Sequence, residues 1–198
     1  MTPALPRRPF VAQATIDSPL GPLLLAATAR GLGGAWFDGQ AHHPGPLDAP
    51  NDAGHRFIQF AAEELASYWA DAPNARFTVP LDPRGTAFQC AVWQRLRDIP
   101  AGHTSTYSAL AALLQKPRAL RAVGAAVGRN PLSVIIPCHR VLGSDGSLTG
   151  YAGGLARKLD LLQREGRWPD GPPPVNEAHR PTRAPAAPIT AASEAQAA

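Results

Sequence analysis

Residues Ser105 to Gly128, STYSALAALLQKPRALRAVGAAVG, decide how this chain is read. Gln115-Lys116-Pro117 is a turn, so the stretch predicts one helix from Ser105 to Leu114 and another from Arg118 to Gly128. The order is helix, tight turn, helix. The second helix is short of bulk: Ala119, Ala122, Gly124, Ala125, Ala126 and Gly128 recur along it, although each Gly costs ~1 kcal/mol against Ala in a helix interior. Small residues let a backbone come close to something. Tight helix–helix packing is the ordinary reason, and close docking on phosphates and a groove is the other, because Arg118, Arg121 and Arg129 lie on the same segment.

Upstream, Asp82-Pro83-Arg84-Gly85 breaks the chain, and Thr86 is an N-cap for a helix running to about Ile99 with Phe88, Val92, Trp93 and Leu96 on its buried side. Cys90 falls inside that helix and is read as a buried structural thiol. Before the break, Val11 to Ile16, Leu20 to Thr28 and Gly31 to Phe37 read as a three-stranded meander punctuated by Asp17-Ser18-Pro19 and Ala29-Arg30-Gly31. Gln40 to Asp52 is a loop. Apolar residues at helical spacing predict an amphipathic helix from Gly54 to Ala70, and Arg76 to Leu81 reads as a further strand. Downstream, Gly143 to Gly146 is a turn and Leu155 to Glu165 a last helix. From Pro169 onward the Pro/Ala-rich chain predicts a disordered tail. The division expected is 1–82, an α/β unit; 83–168, a mostly helical unit; and 169–198, the tail.

The chain has 198 residues, 44% of them hydrophobic, enough for one medium or two small domains with a real core. No stretch nears the ~20 apolar residues that span a bilayer, and the N-terminal residues do not read as a signal peptide, so a cytoplasmic protein without membrane association is expected. Two cysteines with no CxxC pair and no Cys/His cluster at zinc spacing suggest neither a disulfide framework nor a metal. A net charge of +4 is modest, but Arg118, Arg121, Arg129 and Arg140 concentrate in one region with no acidic residue between Lys116 and Asp145. Gly150 to Leu155 is Gly-rich without the pattern of a phosphate loop.

Chemistry enters at Ile135-Ile136-Pro137-Cys138-His139-Arg140-Val141, which sets a thiol beside an imidazole after an apolar, strand-like run. A thiolate is the soft nucleophile among side chains, and its reactivity needs nearby positive charge or donors; His139 and Arg140 are the local suppliers. On an extended backbone neighbouring side chains point apart, so a water between Cys138 and His139 and a carboxylate on the other ring nitrogen would be required. Glu165 is the candidate orienter. A buried thiol beside a surface imidazole is the competing reading of the same pair.

From Gly85 to Gly166 the chain resembles the methylated-DNA–protein-cysteine methyltransferases, or O6-alkylguanine-DNA alkyltransferases. The segments that carry the resemblance are Thr104–Ser108, Arg121–Gly124, Gly128–Pro131, Ile136–Val141, Gly150–Leu155 and Arg164–Gly166, in that order. The meander of 11–38 looks like the family's ribonuclease-H-like N-terminal domain, which makes the expected fold an α/β domain followed by a helical domain with a helix-turn-helix. The resemblance implies a repair protein that flips an O6-alkylated guanine, with O4-alkylated thymine as a second substrate, out of duplex DNA and transfers the alkyl group irreversibly to Cys138. His139 would activate the thiol through water, Glu165 would orient His139, and Asn130 would brace the active-site turn. Tyr107 would crowd the 3′ phosphate and assist protonation of the leaving base. Arg121 would fill the gap left by the flipped nucleotide, and the docking surface would comprise Arg118, Ala122, Gly124, Ala125, Gly128 and Arg129 in the minor groove. Val134, Pro137, Val141, Tyr151, Ala152 and Gly153 would line the base pocket. No cofactor and no metal are implied, the partner is alkylated double-stranded DNA, and a monomer is expected. A non-catalytic lesion binder would lack the acceptor thiol; a cysteine hydrolase would need an oxyanion hole and turnover.

Overall fold

The computed structural model describes residues 10–168. The tail expected from Pro169 lies outside them. Turn chemistry sets the first element: Ser18 Oγ accepts from Leu20 N and donates to Gly21 O, closing the link between β1 (Ala12–Ile16) and β2 (Leu23–Ala27). With β3 (Leu32–Phe37) these form an antiparallel sheet in the order β1-β2-β3, in register Ala14 to Leu25 and Leu25 to Ala35. β3 is buried along its whole length. One side of the sheet receives α1 (Arg56–Ala70), which buries Phe57, Ile58, Ala61, Leu65 and Tyr68 at the spacing that the sequence shows.

The strand read at Arg76 to Leu81 does not form. Leu81 makes a single bridge to Leu32, while the backbone N–H groups of Thr78 and Val79 donate to the Glu64 carboxylate on α1. A side chain satisfies the donors that a ladder would otherwise have taken.

In the second half, α2 (Ala87–Arg97) starts on a reciprocal cap: Thr86 Oγ1 accepts from Gln89 N, and Gln89 Oε1 accepts from Thr86 N. Cys90 on this helix is half-buried and points its thiol at Gly85 O. Ser105 and Thr106 leave the predicted helix to form β4, paired in parallel with β5 (Val141–Leu142), so α3 begins only at Tyr107 and ends at Leu113. Thr106 Oγ1 caps it by accepting from Ala109 N. The exit from α3 is a Schellman turn, with Gln115 in the left-handed region at φ 57, Gln115 N donating to Ala112 O and Lys116 N to Ala111 O. α4 (Leu120–Gly128) follows and packs on α2, where Trp93 Nε1 donates to Ala126 O. The final helix, α5 (Leu155–Arg164), closes on the active-site turn described below.

The two halves share a continuous core and are pinned by backbone bonds. Ala35 N donates to Pro131 O and Ser133 N to Ala35 O, so β3 carries the loop that leads to Cys138. Among the described residues no helix is long and apolar enough to cross a membrane.

Candidate active site

The run before Cys138 is not a strand. Pro131 to Ile136 form tight turns, with Ile136 N bonded to Leu132 O, and Cys138–Arg140 form one turn of 3-10 helix. Apolar composition gave the strand reading; Pro137 and the pinning on β3 favour turns instead. Val134 sits at φ 71, a backbone region that costs a β-branched residue ~1–3 kcal/mol and is held only where the surroundings determine it.

Asn130 supplies much of that holding. Its Nδ2 donates to Ile136 O at 2.7 Å and to Cys138 Sγ at 3.1 Å, and its Oδ1 accepts from Leu132 N at 3.0 Å. One amide thus ties both ends of the turn and touches the sulfur. Cys138 is 4% exposed, and burial pushes its thiol up, against the Asn130 hydrogen bond and the Lys158 charge that pull it down.

His139 is fully buried, and its Nε2 donates to Glu165 Oε1 at 2.8 Å, which fixes the tautomer: the lone pair of the neutral ring lies on Nδ1. Nδ1 has no hydrogen-bond partner among the described residues. Burial holds the ring below its usual value, outweighing the nearby carboxylate. A neutral imidazole with a free lone pair, one residue from a thiol, has the chemistry that a general base requires.

Glu165 is the C-cap of α5, and Gly166 at φ 79 makes the turn that places it there, with Gly166 N bonded to Gln163 O and Arg167 N to Leu162 O. Its carboxylate accepts from His139 Nε2, from Tyr68 OH at 2.8 Å, and from Arg140 Nη2 and Nε at 2.8 and 2.9 Å. Burial alone would raise it, but the His139 and Arg140 partners win and lower it to about 2. It is therefore ionised at neutral pH.

Three features of this centre escaped the sequence. Arg140 does not face the thiol; its guanidinium grips Glu165 and Ile99 O. Lys158 on α5 is fully buried, with Nζ donating to Val141 O and Thr149 O, and burial lowers its ammonium to about 8. Tyr68 reaches across from α1, where helical spacing marks it only as an apolar-face residue.

Tyr107 opens α3 and lines a cavity of about 400 Å³ with Thr149, Gly150, Asp145 and Ser147. Burial raises its phenol against the Thr149 hydrogen bond that pulls it down, with the Cys138 charge adding to the rise, and the hydroxyl donates to Gly150 O at 3.5 Å. Of the residues expected to line a base pocket, Val134, Val141 and Gly153 are buried, while Tyr151 and Ala152 are partly exposed. Tyr151 sets its ring edge-on to His139 at 6.4 Å. Pro137 lines a different cavity, on the Tyr68 side of the turn.

Along α4 and at its ends, Arg118, Arg121, Ala122, Ala125 and Arg129 are exposed, and Gly124 and Gly128 are partly so. A Cβ added at Gly128 would meet nothing within 4 Å, and at Gly124 only the Tyr107 ring at 3.9 Å. Gly128 is thus open to one side, and Gly124 has the Tyr107 ring as its neighbour. Among the described residues no group of three or more His, Cys, Asp or Glu could hold a metal ion.

Comparison with known proteins places the chain among relatives of one kind. The family model for the 6-O-methylguanine DNA methyltransferase DNA-binding domain matches residues 87–167. A methylated-DNA–protein-cysteine methyltransferase of Methanosarcina barkeri is 46% identical over 151 residues, covering 76% of this chain and 94% of the relative. One from Haemophilus influenzae is 43% identical over 150 residues, covering 75% and 82%. The crystal structure of Mycobacterium tuberculosis OGT in complex with DNA aligns at TM-score 0.72 and 42% identity, over 78% of this chain and 92% of that one.

Proposed function

The chain belongs to the methylated-DNA–protein-cysteine methyltransferases, DNA-repair proteins that take the alkyl group onto their own cysteine, and from that premise we propose how its residues divide the work. The observation that carries the proposal is the buried line Cys138, His139, Glu165, in which the imidazole offers Nδ1 and anchors Nε2. A water relays the thiol proton to Nδ1. The thiolate attacks the alkyl carbon in line; the C–S bond forms, the bond to O6 of guanine breaks, and its electron pair stays on the base. Tyr107, held protonated, supports protonation of the departing base. The thioether has no easy leaving group, so each molecule reacts once.

Magnitudes show why a base is required. A thiol at its reference value of ~8.5 is only ~3% ionised at neutral pH, and in this site burial raises it further. Asn130 and Lys158 offset part of that cost, and proton transfer to His139 supplies the rest.

The 4% exposure of Cys138 means that a base cannot react while stacked in duplex. We assign α3, the turn and α4 as a helix-turn-helix whose second helix docks in the minor groove, with Arg121 entering the stack and Arg118 and Arg129 meeting phosphates. The absence of side chains at the partly exposed Gly124 and Gly128 suits close approach to a sugar–phosphate backbone. The flipped base is received by the wall of Val134, Pro137, Val141, Tyr151, Ala152 and Gly153, and O4-alkylated thymine is a second substrate. In the same reading residues 1–82 are a ribonuclease-H-like domain, residues 83–168 bind DNA and react, and the protein is a cytoplasmic monomer.

Comparison of two substrates tests this division. Arg121→Ala should slow repair of an O6-methylguanine in duplex DNA while leaving reaction with the free base nearly unchanged, because only the duplex requires extrusion at a cost of a few kcal/mol. Equal losses on both would place Arg121 in the support of the active site and remove the flipping role.

A further inference from the structure

We infer that Tyr68, in the N-terminal half, is a positioning residue for alkyl transfer that sets the orientation and proton affinity of His139 through Glu165. The inference rests on the reading of Cys138 as acceptor and His139 as base. Its geometry is specific. Tyr68 and Glu165 are 97 positions apart in sequence, yet the phenol O–H donates to Oε1 at 2.8 Å, on the oxygen that also receives His139 Nε2 at 2.8 Å. Tyr68 is 1% exposed, and its ring is fixed edge-on by Trp69 at 5.1 Å and tilted against Phe77 at 5.7 Å. Being part of α1, it is placed by the packing of that helix on the sheet and not by the loop it serves.

Three donors share that oxygen, Arg140 Nη2 at 2.8 Å being the third, and they compete for its charge. Every bit of carboxylate density drawn to the phenol is withheld from the imidazole, so Tyr68 restrains how basic Glu165 makes His139. The restraint does not switch off with pH, because burial and then the Glu165 charge keep the phenol protonated far above its ordinary range. The other charged or titratable groups that bear on His139 are Arg140 on its own turn, Lys158 on α5, the Cys138 thiol beside it and the Tyr151 ring; substitution at Tyr68 leaves all of them in place. The phenol also bonds Glu165 from α1, whereas His139 and Arg140 bond it from the active-site turn, so it limits rotation of the carboxylate and with it the aim of Nδ1.

The test is the pH profile of single-turnover transfer from a soluble O6-alkylguanine base to Cys138, which involves no DNA. With Tyr68→Phe, Oε1 loses a competing donor, the proton affinity of His139 rises, and the acid limb should move up by ~0.5–1 pH unit. Tyr68→3-fluorotyrosine, a stronger donor of the same shape, should move it down. Phe77→Leu loosens the packing around the ring without touching Glu165, and should lower the melting temperature with no shift of the limb. A Tyr68→Phe profile that superimposes on the parent, or a Phe77→Leu variant that reproduces its shift, overturns the inference. Titration of the His139 ring nitrogens by NMR in the same proteins reads the proton affinity independently of activity. If the parent fails to alkylate Cys138, the functional reading falls, and the NMR shift still decides whether Tyr68 tunes His139.

Discussion

Replacing Glu165 by Gln isolates what the carboxylate does, since shape is kept and charge is lost. In the parent, Oε1 faces donors from His139, Tyr68 and Arg140, and Oε2 faces Arg140 Nε. An amide has one acceptor and one NH2 group, so in either orientation an N–H is directed at another donor. Arg140, with its side chain 11% exposed, loses its counter-charge. Stranding one member of a buried pair costs ~3–5 kcal/mol, which in a protein of this size lowers the melting temperature by roughly 6 to 20 °C. On the chemistry, His139 loses the anion that stabilises its protonated form, and the thiol must ionise with less help. The ~3% ionised fraction of an ordinary thiol at neutral pH caps what full ionisation can contribute at about 30-fold, and the burial of Cys138 raises that cap. The assay is single-turnover transfer from an O6-alkylguanine followed by intact mass across pH, below the variant's melting temperature. The deficit should be largest near neutrality and shrink at alkaline pH, where the thiol ionises unassisted. A folded variant that is slowed equally at every pH, or not slowed, would refute the relay.

Asn130→Ala should raise the thiol's apparent pKa and slow transfer most below it, because the sulfur loses its 3.1 Å donor; the orphaned Leu132 N–H adds ~1–3 kcal/mol of instability, read from chemical denaturation. Acid should unfold the protein in two stages. His139 has its value lowered in the fold, so its contribution is present above the unfolded value of ~6.5 and is lost as pH falls below it. Glu165, lowered from 4.5 to about 2, contributes fully above 4.5 and its contribution is lost as pH falls through 2; melting curves against pH should show both declines, and the second should vanish in Glu165→Gln. Thr86→Ala removes one half of the cap on α2 and should cost ~1 kcal/mol in denaturation with transfer unaffected.

The sequence made short-range order legible because its signals are local. Thr86 and Gln89 lie three residues apart and cap α2 together, and the turn at Asp17-Ser18-Pro19 separates β1 from β2. Glu165 was within reach because Gly166 and the end of α5 mark a defined position. What stayed hidden depends on partners distant in the chain. Arg76 to Leu81 has the composition of a strand, but the Glu64 carboxylate claims its donors. The apolar run ahead of Cys138 reads as extended, but Asn130 and β3 fold it into turns. Arg140 looks like a charge for the adjacent thiol until α5 brings Glu165 to it, and neither the Tyr68 hydroxyl nor the Lys158 amine advertises its destination in a periodic pattern.

The most direct test of the central claim is incubation of the protein with excess duplex DNA carrying a single O6-methylguanine, followed by intact mass and peptide mapping. The account predicts a gain of one methylene equivalent per molecule and no more, carried by the peptide that contains Cys138 and absent from Cys138→Ala. Alkylation located on Cys90, or demethylated DNA accumulating beyond one equivalent of protein, would contradict it.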